Sequence, residues 1–295
     1  MEAAVLDPLA PAPRGTFRTA QVRVLRRHGP HRPHPQDVLC TNRFCVQRHD
    51  GLLTVQHDLT PDELCDELAV TLAEQLVDRG ALRGQAEFEH VFTGIVRSTV
   101  DGELSSWLRF YRNSLHRLES GTTAFAPVHS WAATLMRGRR LVDLGSCFGF
   151  FPLRMARRGV DVTATDLSAP TMDLLSRVSR ELHRPLRTLA CNAVGVPLPD
   201  RSADTVTALH LIEHLSPDCA DEVIEEALRL ARHRVVIAVP FEDEPRECYG
   251  HVQRFDLDVL RSMADRIRRG HAGVRTRVAE LHGGWLIIDR RIGDR

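Results

Sequence analysis

Glycine and carboxylate residues stand where consecutive strands of this sequence are predicted to end. The stretch LVDLGSCFGFF puts Asp143 and Gly145 at the end of one strand and Gly149 at the start of a helix. Gly145 permits a tight turn with close ligand approach, and the free N–H groups of the helix start favour a polar or anionic group. The next strand, VDVTATD, ends in Asp166, whose carboxylate can accept hydrogen bonds from both hydroxyls of a ribose. Asn192 follows the strand RTLACNA, where its carbonyl can accept from an adenine amino group.

The glycine loop does not fit a dinucleotide. The G-x-G-x-x-G fingerprint would need glycine at two positions that Cys147 and Phe150 occupy. Contact with a pyrophosphate therefore fails at two positions, which argues against NAD and FAD. The ordered set of residues predicts a nucleoside ligand that has no pyrophosphate.

The elements that position these residues alternate between strand and helix after His129. Five such βα units, followed by the alternating segments VRTRVAEL and WLIIDRR around Gly-Gly, predict an α/β fold. We expect a doubly wound, mostly parallel sheet with an antiparallel C-terminal hairpin. RVVIAVP is almost entirely apolar, which is typical of a central parallel strand.

The first part of the chain predicts a smaller α+β module. Strand-like segments include a hairpin at Asp50-Gly51, and a helix is expected from Thr60 to Gly80. Residues 86–120 are expected to be mostly helical, with an aromatic stripe that indicates core or, alternatively, a sugar-stacking surface: Trp107, Phe110 and Tyr111. The polar segment HGPHRPHPQ, between two of the strand-like segments, is either a plain linker or a metal or anion site. Its candidate residues are His28, His31, Arg32 and His34. The expected domains are a disordered lead over 1–15, the module over 16–120 and the ligand-binding domain over 121–295.

Composition excludes several kinds of chemistry. All 39 basic residues of the 295-residue chain are arginine, so lysine-dependent phosphate loops and Schiff bases are excluded. The formal net charge of zero gives no reason to expect nucleic acid, and no apolar run is long enough to insert into a membrane. The N-terminus lacks the pattern of a secretory signal, and the seven scattered cysteines fit reduced thiols. We therefore expect a cytoplasmic protein.

The ordered motifs DLGSCFG, TATD, CNAVGVPLPDRSADTV and LIEHL resemble the class I S-adenosylmethionine (SAM)-dependent methyltransferases over about residues 130–292. The resemblance implies a Rossmann-like fold, SAM as cofactor, and the following contacts. The methionine part would be lined by Asp143, Gly145, Ser146, Cys147 and Gly149; the ribose would be held by Asp166 and Leu167, and the adenine by Asn192 and Ala193. Two positions depart from the family pattern, since Cys147 replaces the usual central glycine and Asn192 replaces the usual acid.

A narrower resemblance extends into the N-terminal module. FTGIVRSTVDGELSSWLRFYRNSL, HLIEHL and VPFEDEP…YGHVQRFD are similar to the mycofactocin oligosaccharide methyltransferases of actinobacteria. This resemblance implies that the enzyme methylates a sugar hydroxyl of a glycosylated small molecule.

The segment HLIEHL after the fourth strand holds candidate catalytic groups beside the expected sulfonium position. Its HxxEH spacing is also that of a zinc hydrolase, but His210 lies in a strand, so we reject that interpretation. Three interpretations stay open: Glu213 and His214 hold Mg²⁺, His214 is a general base with Glu213 orienting its loop, or the pair is structural. His210 is grouped with the cofactor-binding residues.

His251 in YGHVQRF is the other candidate, either as the base or as a hydrogen-bonding partner of a sugar, with Arg254 helping to hold the substrate. It follows an acidic loop that should overhang the acceptor pocket. Two alternative functions remain: an O-methyltransferase of a quinone, phenol or other small molecule, and a methyltransferase-fold binding protein without activity.

Overall fold

A computed structural model of the protein describes residues 6–27, 29 and 34–290, which divide into two compact units. The first comprises Met1–Arg117 and Glu247–Gly250, and the second comprises Leu118–Arg246 and His251–Arg295. Three residues of the polar cluster named above, His28, His31 and Arg32, lie outside the described residues, as do residues 1–5 of the expected disordered lead.

The first unit contains a five-stranded sheet whose strands lie in the order β1-β2-β5-β4-β3. The strands are β1 (Thr16–Arg18), β2 (Val22–Arg26), β3 (Asp37–Cys40), β4 (Phe44–His49) and β5 (Leu52–His57). β2 and β5 are parallel, and the other neighbours are antiparallel. The predicted hairpin at Asp50-Gly51 is confirmed: both residues have positive φ, 47° and 78°, as a two-residue turn between β4 and β5 requires.

The helix predicted from Thr60 to Gly80 is wrong in its first half. The capping box of Thr60 and Glu63 is present, but it closes only a 3₁₀ turn at Pro61–Glu63, and Leu64 is extended. Asn113 Nδ2 donates to the carbonyls of Pro61 and Leu64, so these carbonyls are bonded outside the helix ladder. The helical segment begins at α1 (Leu68–Leu72) and continues as a π-helical segment over Ala73–Val77.

Two long helices, α2 (Gly84–Thr99) and α3 (Glu103–Ser120), confirm the helical prediction for residues 86–120. The aromatic stripe of α3 is core, because Trp107, Phe110 and Tyr111 are all fully buried. Residues 6–15 of the expected disordered lead make specific contacts. The Pro8 carbonyl accepts hydrogen bonds from Trp107 Nε1 at 2.8 Å and from Arg97 Nη1 at 2.6 Å.

The second unit contains a seven-stranded sheet in the order β11-β12-β10-β9-β6-β7-β8. Its strands are β6 (Arg140–Leu144), β7 (Asp161–Asp166), β8 (Arg187–Ala190), β9 (Ala203–Leu209), β10 (Ala231–Val239), β11 (Val274–Glu280) and β12 (Gly284–Arg290). Strands β6 to β10 are parallel to one another, and β12 is antiparallel to both β10 and β11. The predicted α/β fold with a C-terminal hairpin is confirmed.

Helices cover both faces of this sheet. They are α4 (Ala126–Leu135), α5 (Phe150–Arg157), α6 (Ala169–Glu181), α7 (Pro217–Leu230) and α8 (Leu257–Gly270). The central strand β10 shares its side chains between two cores, because Val235 and Ile237 pack with α7 and α8, and Val236 and Ala238 pack with α4 and α5. As predicted, β10 is a buried parallel strand.

The strand order reverses between β6 and β9, because the chain runs outward to β7 and β8 on one side and to β10 on the other. At such a switch point the loops that follow the two strands separate and leave a crevice at the carboxyl edge of the sheet. The residues after β6, β7, β8 and β9 therefore surround one place. Within the described residues, no helix has the length and apolar character needed to cross a membrane.

Candidate functional site

The loop after β6 requires glycine at two positions. Gly145 and Gly149 have φ of +64° and +67°, in the left-handed region that disfavours side chains. A Cβ at Gly145 would lie 2.5 Å from Leu211 Cδ1, and one at Gly149 would lie 2.4 Å from Leu175 Cδ2. The loop after β6 thus contacts the segment after β9 directly, with no space for a side chain between them.

Cys147 lies between these glycines and shares their backbone conformation, with φ of +49°. Its N–H donates to Asp166 Oδ2 at 2.9 Å, and its side chain is exposed. Although Cys147 stands where the family pattern has glycine, its backbone keeps the left-handed conformation typical of glycine, which strains a residue with a side chain. The thiol adds a polarisable group to the exposed side of the loop.

Asp143 is a buried carboxylate with partners on neighbouring strands. Thr207 Oγ1 on β9 donates to one carboxylate oxygen, and Ser146 Oγ donates to the other at 2.7 Å. Thr165 Oγ1 on β7 donates to the Asp143 carbonyl at 3.1 Å. Burial raises the pKa of Asp143 to about 6, although the hydrogen bonds from Thr207 and Ser146 oppose the shift. Sequence reasoning missed both threonines, which look like ordinary strand residues.

Asp166 and Leu167 lie where β7 ends, beside the glycine loop. The two carboxylate oxygens of Asp166 accept from Cys147 N and Ser168 N, each at 2.9 Å, and keep further lone pairs. Leu167 is 77% exposed, an unusual degree for a large apolar side chain. A carboxylate next to an exposed apolar surface suits a ribose next to a flat base.

Asn192 and Ala193 follow β8. Asn192 Oδ1 accepts from Val194 N at 3.1 Å, and the Asn192 carbonyl accepts from Gly195 N at 3.1 Å. The end of β8 is held next to β7, since Cys191 N donates to the Asp166 carbonyl at 2.9 Å. The side-chain oxygen predicted to take an adenine amine thus already closes a local turn, with one lone pair left.

Three side chains that could bind a metal ion come together. Two of them follow β9, and the third, His251, lies later in the chain. One ligand atom from each of Glu213, His214 and His251 lies within 4.8 Å of the others. The rings of the two histidines are edge-to-face, with centroids 4.8 Å apart. Backbone pairing explains the proximity, because the Glu213 carbonyl accepts from Val252 N at 2.8 Å and from Gln253 N at 3.2 Å.

The side chains of this Glu213–His214–His251 cluster differ in exposure. Glu213 is fully buried, His214 is exposed, and the His251 side chain is 9% exposed. Glu213 and His214 lie in a 3₁₀ turn, Ile212–His214. His210 precedes the turn, with φ of +56°, and its Nδ1 lies 3.3 Å from Glu213 Oε1. The Phe125 ring packs edge-on against His210 at 5.3 Å.

His251 has a carboxylate partner that the sequence did not reveal. Its Nδ1 lies 2.7 Å from Glu242 Oε2, which also accepts from Arg246 N at 3.4 Å. The pair fixes the ring and directs Nε2 away from Glu242. No regular spacing joins positions 242 and 251, so only the fold could reveal the contact. Arg254, a predicted substrate contact, is exposed.

The comparisons with known proteins agree with this arrangement. Residues 142–239 match a family model described as a methyltransferase domain. The matched domain begins in β6 and ends with β10. That domain spans the loops after β6, β7, β8 and β9, which carry the candidate site.

A relative and two solved structures are similar to this chain. A ubiquinone biosynthesis O-methyltransferase of Paracidovorax citrulli (strain AAC00-1) is 30% identical over 129 residues, which are 40% of this chain and 53% of that protein. The chain thus spans about half the length of this relative. A SAM-dependent methyltransferase from Aquifex aeolicus is 16% identical, with a TM-score of 0.44, over 60% of this chain and 97% of that one. A magnesium protoporphyrin IX methyltransferase from Synechocystis PCC 6803, solved with bound SAM, is 17% identical, with a TM-score of 0.43, over 65% and 86%.

The strain at Cys147 predicts opposite effects for two substitutions. A left-handed backbone costs a residue with a side chain about 1–2 kcal/mol, part of which glycine recovers. We expect Cys147→Gly to leave the free energy of unfolding equal or raise it by up to about 1 kcal/mol. Cys147→Val, which is β-branched, should lower it by about 1–2 kcal/mol. Urea denaturation measures both, and a valine variant as stable as the wild type would contradict the assignment.

Burial of Asp143 predicts a pH-dependent effect on stability. Because its folded pKa of about 6 lies above the ordinary 3.8, protonation favours the folded state. That contribution is complete below the unfolded pKa and is lost as the pH rises through about 6. Asp143→Asn removes the titration, so from pH 5 to pH 8 the variant should gain on the order of 1 kcal/mol relative to wild type. Urea denaturation at both pH values measures this, and an unchanged difference would refute the shift.

Proposed function

We propose that this protein is a SAM-dependent O-methyltransferase that methylates a hydroxyl group of a small molecule. The observation that carries the proposal is the position of the Glu213–His214–His251 cluster: Glu213 and His214 lie two and three residues after Leu211, the residue that contacts Gly145 of the glycine loop. Groups that can activate a hydroxyl thus belong to a segment that contacts the loop that would hold the cofactor.

The residues present fit SAM. The positive φ of Gly145 and Gly149 keeps the loop close to the sheet edge, and Asp166 offers carboxylate lone pairs next to exposed Leu167. When bound, SAM supplies a sulfonium methyl group whose C–S bond breaks as the C–O bond to the acceptor forms. The protein must place the acceptor oxygen about 3 Å from the methyl carbon and exclude water.

The acidity of the acceptor hydroxyl determines how much the protein must assist the removal of its proton. A sugar hydroxyl is nearly as weak an acid as water, whereas a phenol has a pKa of about 10 and ionises more easily. The cluster, with Glu242 behind His251, supplies two imidazoles and two carboxylates. It can act through a histidine as base or through a bound divalent cation.

We infer a sugar hydroxyl of a glycosylated small molecule as the acceptor, in line with the resemblance to mycofactocin oligosaccharide methyltransferases. A cluster of this size suits an unactivated hydroxyl. The second candidate is a quinol or phenol, which the name of the Paracidovorax relative supports. Both acceptors require the same transfer to oxygen.

Acceptor class is tested by incubating the protein with methyl-labelled SAM and three sets of acceptors: glucose oligosaccharides, phenols and quinols. Mass spectrometry then locates the label. Label on a sugar oxygen supports the first candidate, and label on a phenolic oxygen supports the second. Saturable SAM binding without transfer of label to any of the three sets of acceptors would point to the binding-protein alternative and refute the proposal.

His251→Ala should lower kcat by about 10²-fold or more while leaving the SAM dissociation constant unchanged, because the variant removes a group that activates the acceptor hydroxyl, as base or as ligand of a cation, but no cofactor contact. His271→Ala is the matched control, since His271 pairs with Glu225 on the surface, away from the cluster. Steady-state kinetics and calorimetry measure the two quantities. A His251→Ala enzyme with wild-type kcat would rule out this role.

A further inference from the structure

We propose that Glu213, His214 and His251 bind one divalent first-row transition-metal ion. The ion's role in activating the acceptor hydroxyl rests on the function proposed above, whereas its binding does not.

The cluster has the dimensions of a metal site. Imidazole nitrogen and carboxylate oxygen bind such ions at about 2.0–2.2 Å, so two ligand atoms of one ion lie up to about 4.4 Å apart. The three candidate ligand atoms already lie within 4.8 Å of one another. Small side-chain movements are enough to close the site around an ion.

Glu213 supplies a second observation, independent of the spacing. Its side chain is fully buried, and neither carboxylate oxygen has a hydrogen-bond partner among the described residues. Its neighbour His210 lies 3.3 Å away without hydrogen-bond geometry. A buried carboxylate that lacks partners costs several kcal/mol, and a cation in contact with it removes that cost.

The surroundings of His251 match those of a metal-binding histidine. Such a histidine commonly donates its second ring N–H to a carboxylate, which fixes the tautomer and turns the other nitrogen to the ion. Glu242 Oε2 lies 2.7 Å from His251 Nδ1, so Nε2 is the ring nitrogen that can bind an ion. The backbone bonds from Val252 and Gln253 to the Glu213 carbonyl hold the two ligand segments together.

The donor set selects the class of ion. Mg²⁺ prefers oxygen ligands in octahedral geometry, whereas imidazole nitrogen suits Zn²⁺, Co²⁺, Fe²⁺ and their neighbours. Two imidazoles and one carboxylate therefore favour a transition-metal ion over Mg²⁺, which one of the three interpretations of the sequence places at Glu213 and His214. That expectation counted Glu213 and His214 alone, and His251 adds the second nitrogen.

Three protein ligands leave coordination positions for an acceptor oxygen. An ion there would stabilise the alkoxide form of the hydroxyl, whose proton passes to water. With SAM bound, the oxygen lone pair would form the bond to the methyl carbon as the C–S bond breaks and its electron pair goes to sulfur. Exposed His214 places the open side of the site toward solvent, where an acceptor can enter.

The test uses the whole 295-residue chain, stripped with a chelator and titrated with Co²⁺ alone and with Mg²⁺ alone. We expect one equivalent of Co²⁺ with visible d–d absorption, bound at least about 100-fold more tightly than Mg²⁺. His251→Ala and Glu213→Gln should abolish the absorption, and Glu242→Gln should weaken binding by about 10–100-fold. His271→Ala should behave like wild type. Circular dichroism and SAM binding confirm that each variant is folded.

Absence of stoichiometric Co²⁺ binding by the wild type, unchanged binding by His251→Ala, or equal affinity for Mg²⁺ would each overturn the inference. The two proposals fail separately. Methyl transfer by fully metal-free protein would leave the proposed function standing and remove the ion from it. Stoichiometric Co²⁺ binding without methyl transfer to any acceptor would leave the metal site standing and remove the proposed function.

Discussion

The buried Asp143 carboxylate is the interaction on which the rest of the candidate site depends. It accepts from Thr207 on β9 and from Ser146 in the glycine loop, so one charged group joins the two strands that flank the switch point. The energetic cost of its burial appears as a pKa raised to about 6. Because the group is held from both sides, the glycine loop and the segment after β9 keep a fixed separation, and Gly145 can lie directly against Leu211.

The proposed acceptor side is held together by a different kind of interaction. Backbone hydrogen bonds from residues 252 and 253 to the Glu213 carbonyl bring two distant segments together. His251 then receives a fixed orientation from Glu242, and Glu213 remains buried with no hydrogen-bond partner among the described residues. On the proposed cofactor side, the buried Asp143 carboxylate is hydrogen-bonded within the protein, whereas on the proposed acceptor side the buried Glu213 carboxylate has no hydrogen-bond partner among the described residues. That asymmetry is what a site for hydroxyl activation requires.

The sequence predicted the architecture of the second unit well, because strand–helix alternation, an apolar central strand and a Gly-Gly hairpin are local signals. It also predicted which residues follow which strand, and hence the cofactor candidates. It could not predict partners set by tertiary contact: Thr207 beneath Asp143, Glu242 behind His251, or the pairing of residues 213 and 252. The predicted helix start at Thr60 was wrong for the same reason. A capping box is a local signal, whereas the carbonyls of Pro61 and Leu64 accept hydrogen bonds from Asn113, a residue distant in sequence.

Calorimetric titration with SAM tests the central claim, that the carboxyl edge of β6 and β7 holds this cofactor. The wild type should bind one equivalent. Asp166→Ala should bind at least about 10-fold more weakly, since hydrogen bonds to a charged group contribute about 1.5–3 kcal/mol. Asp161→Ala changes an exposed carboxylate at the opposite end of β7 and should bind like wild type. An absence of saturable heat, or equal affinity of the Asp166→Ala and Asp161→Ala variants, would contradict the account.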